Sequence, residues 1–343
     1  MSQKDILDTT RHPFYKTSEV EMFLAERDGR VVGRIMAIWN RVHNEFHEEK
    51  TGFFGFFEVE QDVQAAAALL DAARDWLRMM GAEVLRGPVS PSTNYECALL
   101  IEGFDLDPTI MMSYNPPYYV EMIEAYGLTK AMDLYAYSID DKTFLSSDRL
   151  KRLADRFKAK SGITLRNVNM KEFAREVEIL REVYNDAWSR NWGFVPFSPE
   201  EFEHLAKDLK QIVDPKVVYI AERHEEGRVE PRAVGFFLAL PDINQALKKL
   251  NGRLLPFGIL KLLWYSRKIR FMRIITMGVI KELQNMGIAA VFYDEIYSKV
   301  PWHGYPSGEM GWVLESNVMM NRAADMLGGR LSKKYRIYEK PIE

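Results

Sequence analysis

Among its 343 residues the chain has one cysteine, Cys97, so no intramolecular disulfide is available to it. With no histidine placed to pair with it, Cys97 reads as a small core residue rather than a nucleophile. The six histidines show no paired spacing and have no cysteine partner, which argues against a metal site. Long apolar runs are missing too: Leu254 to Tyr265 is broken by Pro256, Gly258 and Lys261, short of the roughly eighteen residues a membrane span needs. The polar start Met1-Ser2-Gln3-Lys4-Asp5 has no signal-peptide core, so the cytoplasm is the expected compartment. A net charge of −3 without a basic arm gives no attraction to nucleic acid. What remains is an ordinary globular composition, 47% hydrophobic and 28% charged, in a chain about two domains long.

The most informative stretch is Gln284-Asn285-Met286-Gly287-Ile288-Ala289. Before it, Ile274 to Ile280 is β-branched and strand-like; after it, Ile288 to Ile296 has apolar residues at helical spacing. The first turn of a helix leaves backbone N–H groups unpaired at the positive end of its dipole, which suits a diphosphate such as that of an acyl-CoA. Gly287 admits phosphates close to the backbone, and Ala289 keeps the next turn slim. A second strand, Met310 to Leu314, then Glu315-Ser316-Asn317, a helix Val318 to Leu327, Gly328-Gly329 and an alternating tail Arg330 to Lys340 complete this half.

The first half is a partial copy. Met22–Glu26 and Val31–Ala37 form a hairpin, as do Val217–Glu222 and Ala233–Leu238. Gly52–Val59 is a strand, Val63–Met80 an Ala-rich helix and Val84–Arg86 a strand. After an insertion at 87–112, a helix from Asn115-Pro116-Pro117 to Tyr126 and a strand Ala131–Ile139 follow. At the junction matching the cradle stand Glu58, Glu60 and Asp62 with no glycine, and these carboxylates repel a diphosphate. The expected division is 1–140 as a degenerate copy lacking its opening elements, 141–161 as a linker helix, and 162–343 as the half with the cofactor. In that half Ile163–Val168 is a strand, and helices cover Phe173–Trp188 and Pro199–Ile212, the latter opened by a capping box of Ser198 and Glu201.

The order strand, cradle, helix, strand, Asn, helix, Gly, strand resembles the GNAT superfamily of acyl-CoA-dependent N-acyltransferases. Longer strings sharpen the resemblance: Gly87 to Glu96 (GPVSPSTNYE), Glu102-Gly103-Phe104, Tyr114 to Tyr119 (YNPPYY), Asn185 to Trp188, Asn191 to Phe194 (NWGF), Pro241 to Gln245, Trp312 to Glu315 and Tyr335 to Lys340. With these the chain is similar to two-domain GNAT proteins of the bacterial ceramide synthase-like family. The resemblance implies an α/β fold of two tandem GNAT units on mixed sheets. It also implies acyl transfer from a CoA thioester to an amine, with long-chain acylation of a sphingoid amine as the family's activity. Lys281-Glu282-Leu283 departs from the family's proline-containing approach to the cradle.

For the cofactor, the expected residues are Met277, Gly278 and Val279 on the strand, the cradle Gln284 to Ala289, and Asn317 and Asn321; the N–H of Val279 or its neighbour is the expected oxyanion donor. Glu315, where an apolar strand ends, is the candidate base, or else a carboxylate that caps or pairs with Arg322. The family's helix tyrosine falls on Ala324, leaving Tyr305, Tyr335 or Tyr293 as stand-ins for the acid, or as packing aromatics. For a small-molecule or lipid amine acceptor, Asn94, Tyr95, Glu96 and Tyr114 of the insertion and Trp188, Asn191, Trp192 and Phe194 are candidates, with an interface loop as the alternative. The basic, apolar segment Leu247 to Arg273 reads either as a membrane-surface element, giving peripheral membrane contact, or as the solvated face of a core helix. A non-catalytic acyl-CoA-binding module, and a donor on acyl carrier protein or aminoacyl-tRNA, are the competing functions.

Overall fold

Each strand-like run forms a strand because its β-branched and aromatic residues pack on a pleated surface, and the helices fall where apolar residues recur every three or four positions. The computed structural model describes residues 3–140, 148–225, 227, 229–253, 255–284, 286–299 and 303–343. Asn285 of the cradle and the first residues of the expected linker therefore lie outside the described residues. In chain order the first half holds α1 (Gln3–Ile6), β1 (Ser18–Arg27), β2 (Arg30–Asn40), α2 (Arg41–His47), β3 (Thr51–Val59), α3 (Val63–Met79), β4 (Val84–Gly87), β5 (Val89–Ser90), β6 (Glu96–Cys97), β7 (Leu99–Glu102), α4 (Tyr118–Ala125) and β8 (Thr129–Asp140). Then come α5 (Asp148–Ser161), β9 (Ile163–Asn167), α6 (Phe173–Ala187), α7 (Pro199–Leu209), β10 (Val218–Arg223), β11 (Arg232–Pro241), α8 (Asn244–Lys248), α9 (Gly258–Ser266), β12 (Phe271–Val279), α10 (Ile288–Lys299), β13 (Ser307–Leu314), α11 (Val318–Met326) and β14 (Arg330–Pro341).

The halves share one mixed sheet in the order β1-β2-β3-β4-β14-β8-β13-β12-β11-β10-β9, with β7 also on β14. Their final strands are exchanged. β8, which ends the first half, pairs with β13 of the second; β14, which ends the chain, pairs with β4 of the first. The two exchanged strands lie antiparallel to each other from Arg330↔Ser138 to Glu339↔Thr129. Tyr335, Ile337 and Tyr338 of β14 and Leu134 and Ala136 of β8 are buried, so the middle of the sheet is core for both halves.

Buried polar bonds fix the register there. The Lys333 ammonium donates to Glu309 at 2.6 Å with both side chains out of water, and Thr109 Oγ1 donates to the other Glu309 oxygen at 2.7 Å. Such a charge pair holds only because each partner is satisfied; removing one typically costs about 3–5 kcal/mol. Thr109 belongs to the insertion at 87–112. Nearby, Ile110 donates its N–H to Asp242 at 2.9 Å and accepts from Arg273 at 2.8 Å. The insertion thereby lies across the second half.

Removing residues 330–343 is expected to unfold the first half together with the second. Amide exchange in β3 and β4 should then lose its protection as fully as in β13; persistent protection in β2–β4 would contradict the exchange as the source of their stability.

Candidate active site

Each half contains one parallel strand pair that parts after a few residues. β3 and β4 pair from Thr51↔Val84 to Phe53↔Arg86, and β12 and β13 from Phe271↔Ser307 to Ile274↔Met310. In the second half Ile280 N–H donates to Val234 on β11, so by alternation along the strand the Val279 N–H points the other way, into the opening. Glu60 N–H donates to Val32 in the same manner, which makes Val59 the first-half counterpart. That amide is taken: it donates to the Tyr119 hydroxyl at 2.9 Å, and Tyr119 donates on to Glu58 at 2.9 Å. The Tyr118 hydroxyl donates to the Val59 carbonyl at 3.0 Å.

The helix starts differ likewise. Asp62 accepts from the Gln64 and Ala65 amides at the head of α3 and pairs with Arg27 at 2.7 Å; donation from Ala65 holds its carboxyl below the ordinary range. The chain's own carboxylate thus occupies the anion position of the first half. Among the described residues none offers α10 a comparable side-chain cap. Gly287 there has a φ of 87°, a left-handed backbone that favours glycine. Ile288 is fully buried, Ala289 follows it in the first turn of α10, and Met286 is exposed. Gln284 faces inward instead, its amide donating to Ala187 O at 3.0 Å and Val279 O at 3.2 Å, so it braces the cradle against the end of α6.

Where β12 and β13 part, Ile275 and Thr276 on one side and Trp312 and Leu314 on the other face a cavity of about 270 Å³. Its walls are apolar: Val177, Leu180, Tyr184 and Trp188 of α6, Phe194 and Phe197 of the following loop, Phe202 and Leu205 of α7. The tip of the Trp188 ring abuts β12, where a Cβ on Gly278 would meet it at 2.0 Å, and Tyr184 stacks on that ring at 4.9 Å. Met277 packs against the same core. Thr276 Oγ1 and Trp312 Nε1 are buried here with no partner among the described residues. Arg273, whose guanidinium donates to the Gly311 and Ile110 carbonyls, sits 5.2 Å from the Trp312 ring; burial draws its pKa down to about 10, still a cation at neutral pH.

The insertion closes the far wall. Asn94 donates to Val195 O at 2.9 Å and accepts from Tyr184 OH at 3.0 Å, and Asn191, Trp192 and Cys97 complete the lining. Burial among these groups pushes the Cys97 thiol up to about 12, which keeps it protonated and inert. Through Tyr95, Cys97, Met111, Leu205 and Leu209 this cavity adjoins a larger cleft of about 830 Å³ whose lining includes Asp5, Glu58, Glu96 and Asp208 against a single Arg34. Burial raises the Glu96 carboxyl, partly offset by Arg273. Tyr114 is exposed on the cleft's edge.

Other expected residues stand apart from the opening. Glu315 accepts from Lys130 at 2.7 Å and from the Asp133 amide at 3.1 Å and does not line the cavity. Asn317 caps α11 through the Met320 amide at 3.1 Å, and Asn321 bonds the Leu314, Glu315 and Asn317 carbonyls, so both join α11 to the end of β13. Tyr305 donates to Asp214 at 3.1 Å, outside the cavity lining. Tyr335 packs edge-on to Trp312 at 6.3 Å, and burial pushes its hydroxyl pKa up. Asp5, His12 and His204 do come within 4.8 Å of one another despite their spacing. His12 Nδ1 accepts the Phe14 amide at 3.4 Å, and burial holds its pKa near 4.

From the sequence Glu201 is expected only as part of the capping box with Ser198. Its side chain is in fact buried and accepts from Tyr95 OH at 2.8 Å, and burial pushes its pKa from 4.5 to about 7. The apolar Phe197 and Phe202 around it were the available signal. Between pH 4.5 and 7 the unfolded chain loses this proton while the native one keeps it, so stability falls as pH rises, by about 3 kcal/mol at most. Glu201→Gln is expected to gain on the parent protein across that window in thermal or urea unfolding; an offset independent of pH would contradict the assignment.

No model of a described protein family matches the chain. It is 38% identical over 352 residues to the bacterial ceramide synthase of Caulobacter vibrioides, covering 100% of this chain and 89% of that one. It is also 38% identical over 328 residues to protein YghO of Escherichia coli, covering 94% and 82%. Among solved structures, a tandem GNAT protein from the clavulanic acid biosynthesis pathway aligns at a TM-score of 0.51 and 11% identity, over 95% of this chain and 84% of that one. A GCN5-related N-acetyltransferase from Sphaerobacter thermophilus aligns at 0.50 and 15%, over 94% and 81%. With the tandem GNAT fold and full-length identity together, the chain belongs to the bacterial ceramide synthase family of N-acyltransferases.

Proposed function

We propose that the protein moves a long acyl group from a CoA thioester to the primary amine of a lipid acceptor, working peripherally at a membrane. One observation carries this reading: an apolar cavity opens at the β12–β13 parting and no described side chain caps the start of α10, while the matching amide and helix start of the first half are blocked. The diphosphate of CoA would sit at the start of α10 around Gly287, and the thioester would enter the parting. There the N–H groups of Val279 and of Met277, two residues before it, would donate to the developing oxyanion. The acyl chain would run among Leu180, Trp188 and Phe194.

The acceptor would enter from the acid-lined cleft, where Glu58, Glu96 and Asp208 favour an ammonium group. Glu96 takes one proton from it, the neutral nitrogen attacks the thioester carbon, and the C–S bond breaks as the amide forms. The remaining ammonium proton passes to the departing thiolate, giving free CoA thiol. Glu96 is favoured over Glu315 as base because it lines the cleft, whereas Glu315 is held by Lys130 and the Asp133 amide.

Thiol release with acyl-CoAs of graded length and a long-chain amine checks this. The rate should climb from acetyl to long-chain donors, fall by about 10²- to 10⁴-fold in Glu96→Gln, and survive in Glu315→Gln. Failure to bind any CoA species, or equal losses in both variants, would contradict the reading.

A further inference from the structure

Helix α9 is built the wrong way round for a helix of a water-soluble surface. Gly258, Leu262, Tyr265 and Ser266 face the protein, while Ile259, Leu260, Leu263 and Trp264 form a stripe that is 53–66% exposed. The preceding turn adds Leu255 at 77% and Phe257 at 66% exposure. Nothing among the described residues covers this surface. The charge around it has one sign: no Asp or Glu occurs between Asp242 and Glu282, and Lys249, Arg253, Lys261, Arg267, Lys268 and Arg270 are all exposed. The Lys268 ammonium rests on the Trp264 ring at 3.3 Å, the pairing of an aromatic and a cation that suits a lipid headgroup layer. An acidic protein, with a net charge of −3, has gathered an apolar ridge and a ring of cations in one place.

Its position is equally telling. α9 packs on α8, whose Leu247 is exposed and, with Ile243 and Asn244, lines the acid-rich cleft. Leu106 and Tyr114, also exposed, stand on neighbouring walls of the cleft and of the smaller pocket beside it. The ridge is therefore continuous with the cleft's mouth.

We propose that α9 and the Leu255–Phe257 turn insert into an anionic phospholipid bilayer and hold the cleft mouth at its surface, so that a lipid amine slides from membrane to site without crossing water. Apolar side chains enter the headgroup boundary and the cations meet anionic phosphates, at about fivefold in partition per cation near the surface. The docking rests on the reading of the acceptor as a lipid only for its purpose, not for its physics.

Co-sedimentation of the full chain with vesicles of phosphatidylcholine alone, and of phosphatidylcholine mixed with phosphatidylglycerol, tests it. The parent protein should bind the mixed vesicles, release in high salt as the charges are screened, and bind the neutral ones weakly. Leu260→Ser with Trp264→Ser, and separately Lys261→Glu with Lys268→Glu, should each lower partition at least fivefold and slow acylation of a vesicle-embedded amine. Acylation of a short water-soluble amine should be unchanged in both. Equal partition of parent and variants, or a soluble dimer that the Leu260 and Trp264 substitutions split while no vesicle is bound, overturns the docking. Loss of all acylation in the parent with vesicle binding intact overturns the acyltransfer reading and leaves the docking standing.

Discussion

The exchange of β8 and β14 is the constraint on which the molecule's organisation depends. Two GNAT units joined only by a linker would be free to tilt, and an insertion from one could not serve as a fixed wall in the other. Here each final strand is hydrogen-bonded between strands of the opposite half, and the Lys333–Glu309 pair fixes the register in the buried middle. The insertion is consequently held where Ile110 meets Asp242 and Arg273, and where Asn94 meets Tyr184. Residues from both halves then enclose one cavity with the rigidity of a single sheet.

Given that frame, the asymmetry between copies comes from few side chains. Both halves have a parallel pair that parts, a strand-end amide turned into the parting and a helix start behind it. In the first, Tyr119 fills the amide and Asp62 fills the helix start; Gly55 lets the Val89 carbonyl come so near that a Cβ there would meet it at 1.6 Å. In the second no described side chain fills either position, and the strands part at a cavity lined by Trp188, Thr276 and Trp312. An acid-lined cleft remains on the blocked side and an apolar cavity on the open side, and they adjoin at Tyr95 and Cys97.

Much of this was legible in the sequence, because it depended on local pattern. The hairpins, the Ala-rich α3, the Ser198 cap, the glycine turn into α10 at Gly287 and the acids at Glu58, Glu60 and Asp62 are all statements about neighbours along the chain. The strand exchange was not, since alternation in Ala131–Ile139 and Arg330–Lys340 says that a strand exists but not which strand it pairs with. Side-chain roles were lost for the same reason. Glu315 looked like a carboxylate in an apolar setting, but Lys130 and Asp133 reach it from the other half. Gln284 and Asn321 looked like ligand contacts, and their hydrogen bonds go to the chain itself. Glu201 showed the reverse error, a cap whose burial by distant aromatics pushes its pKa to about 7.

The central claim is that the acyl chain lies in the cavity of the second half and nowhere else. The most direct test is photolabelling with a long-chain acyl-CoA that carries a photoreactive group at the end of the acyl chain, followed by mapping of the modified residues. The account predicts labels on Leu180, Trp188, Phe194 and their neighbours around the β12–β13 parting, competed away by unlabelled acyl-CoA. Competable labelling centred on Phe56, Phe57 and Glu58 in the first half would contradict it.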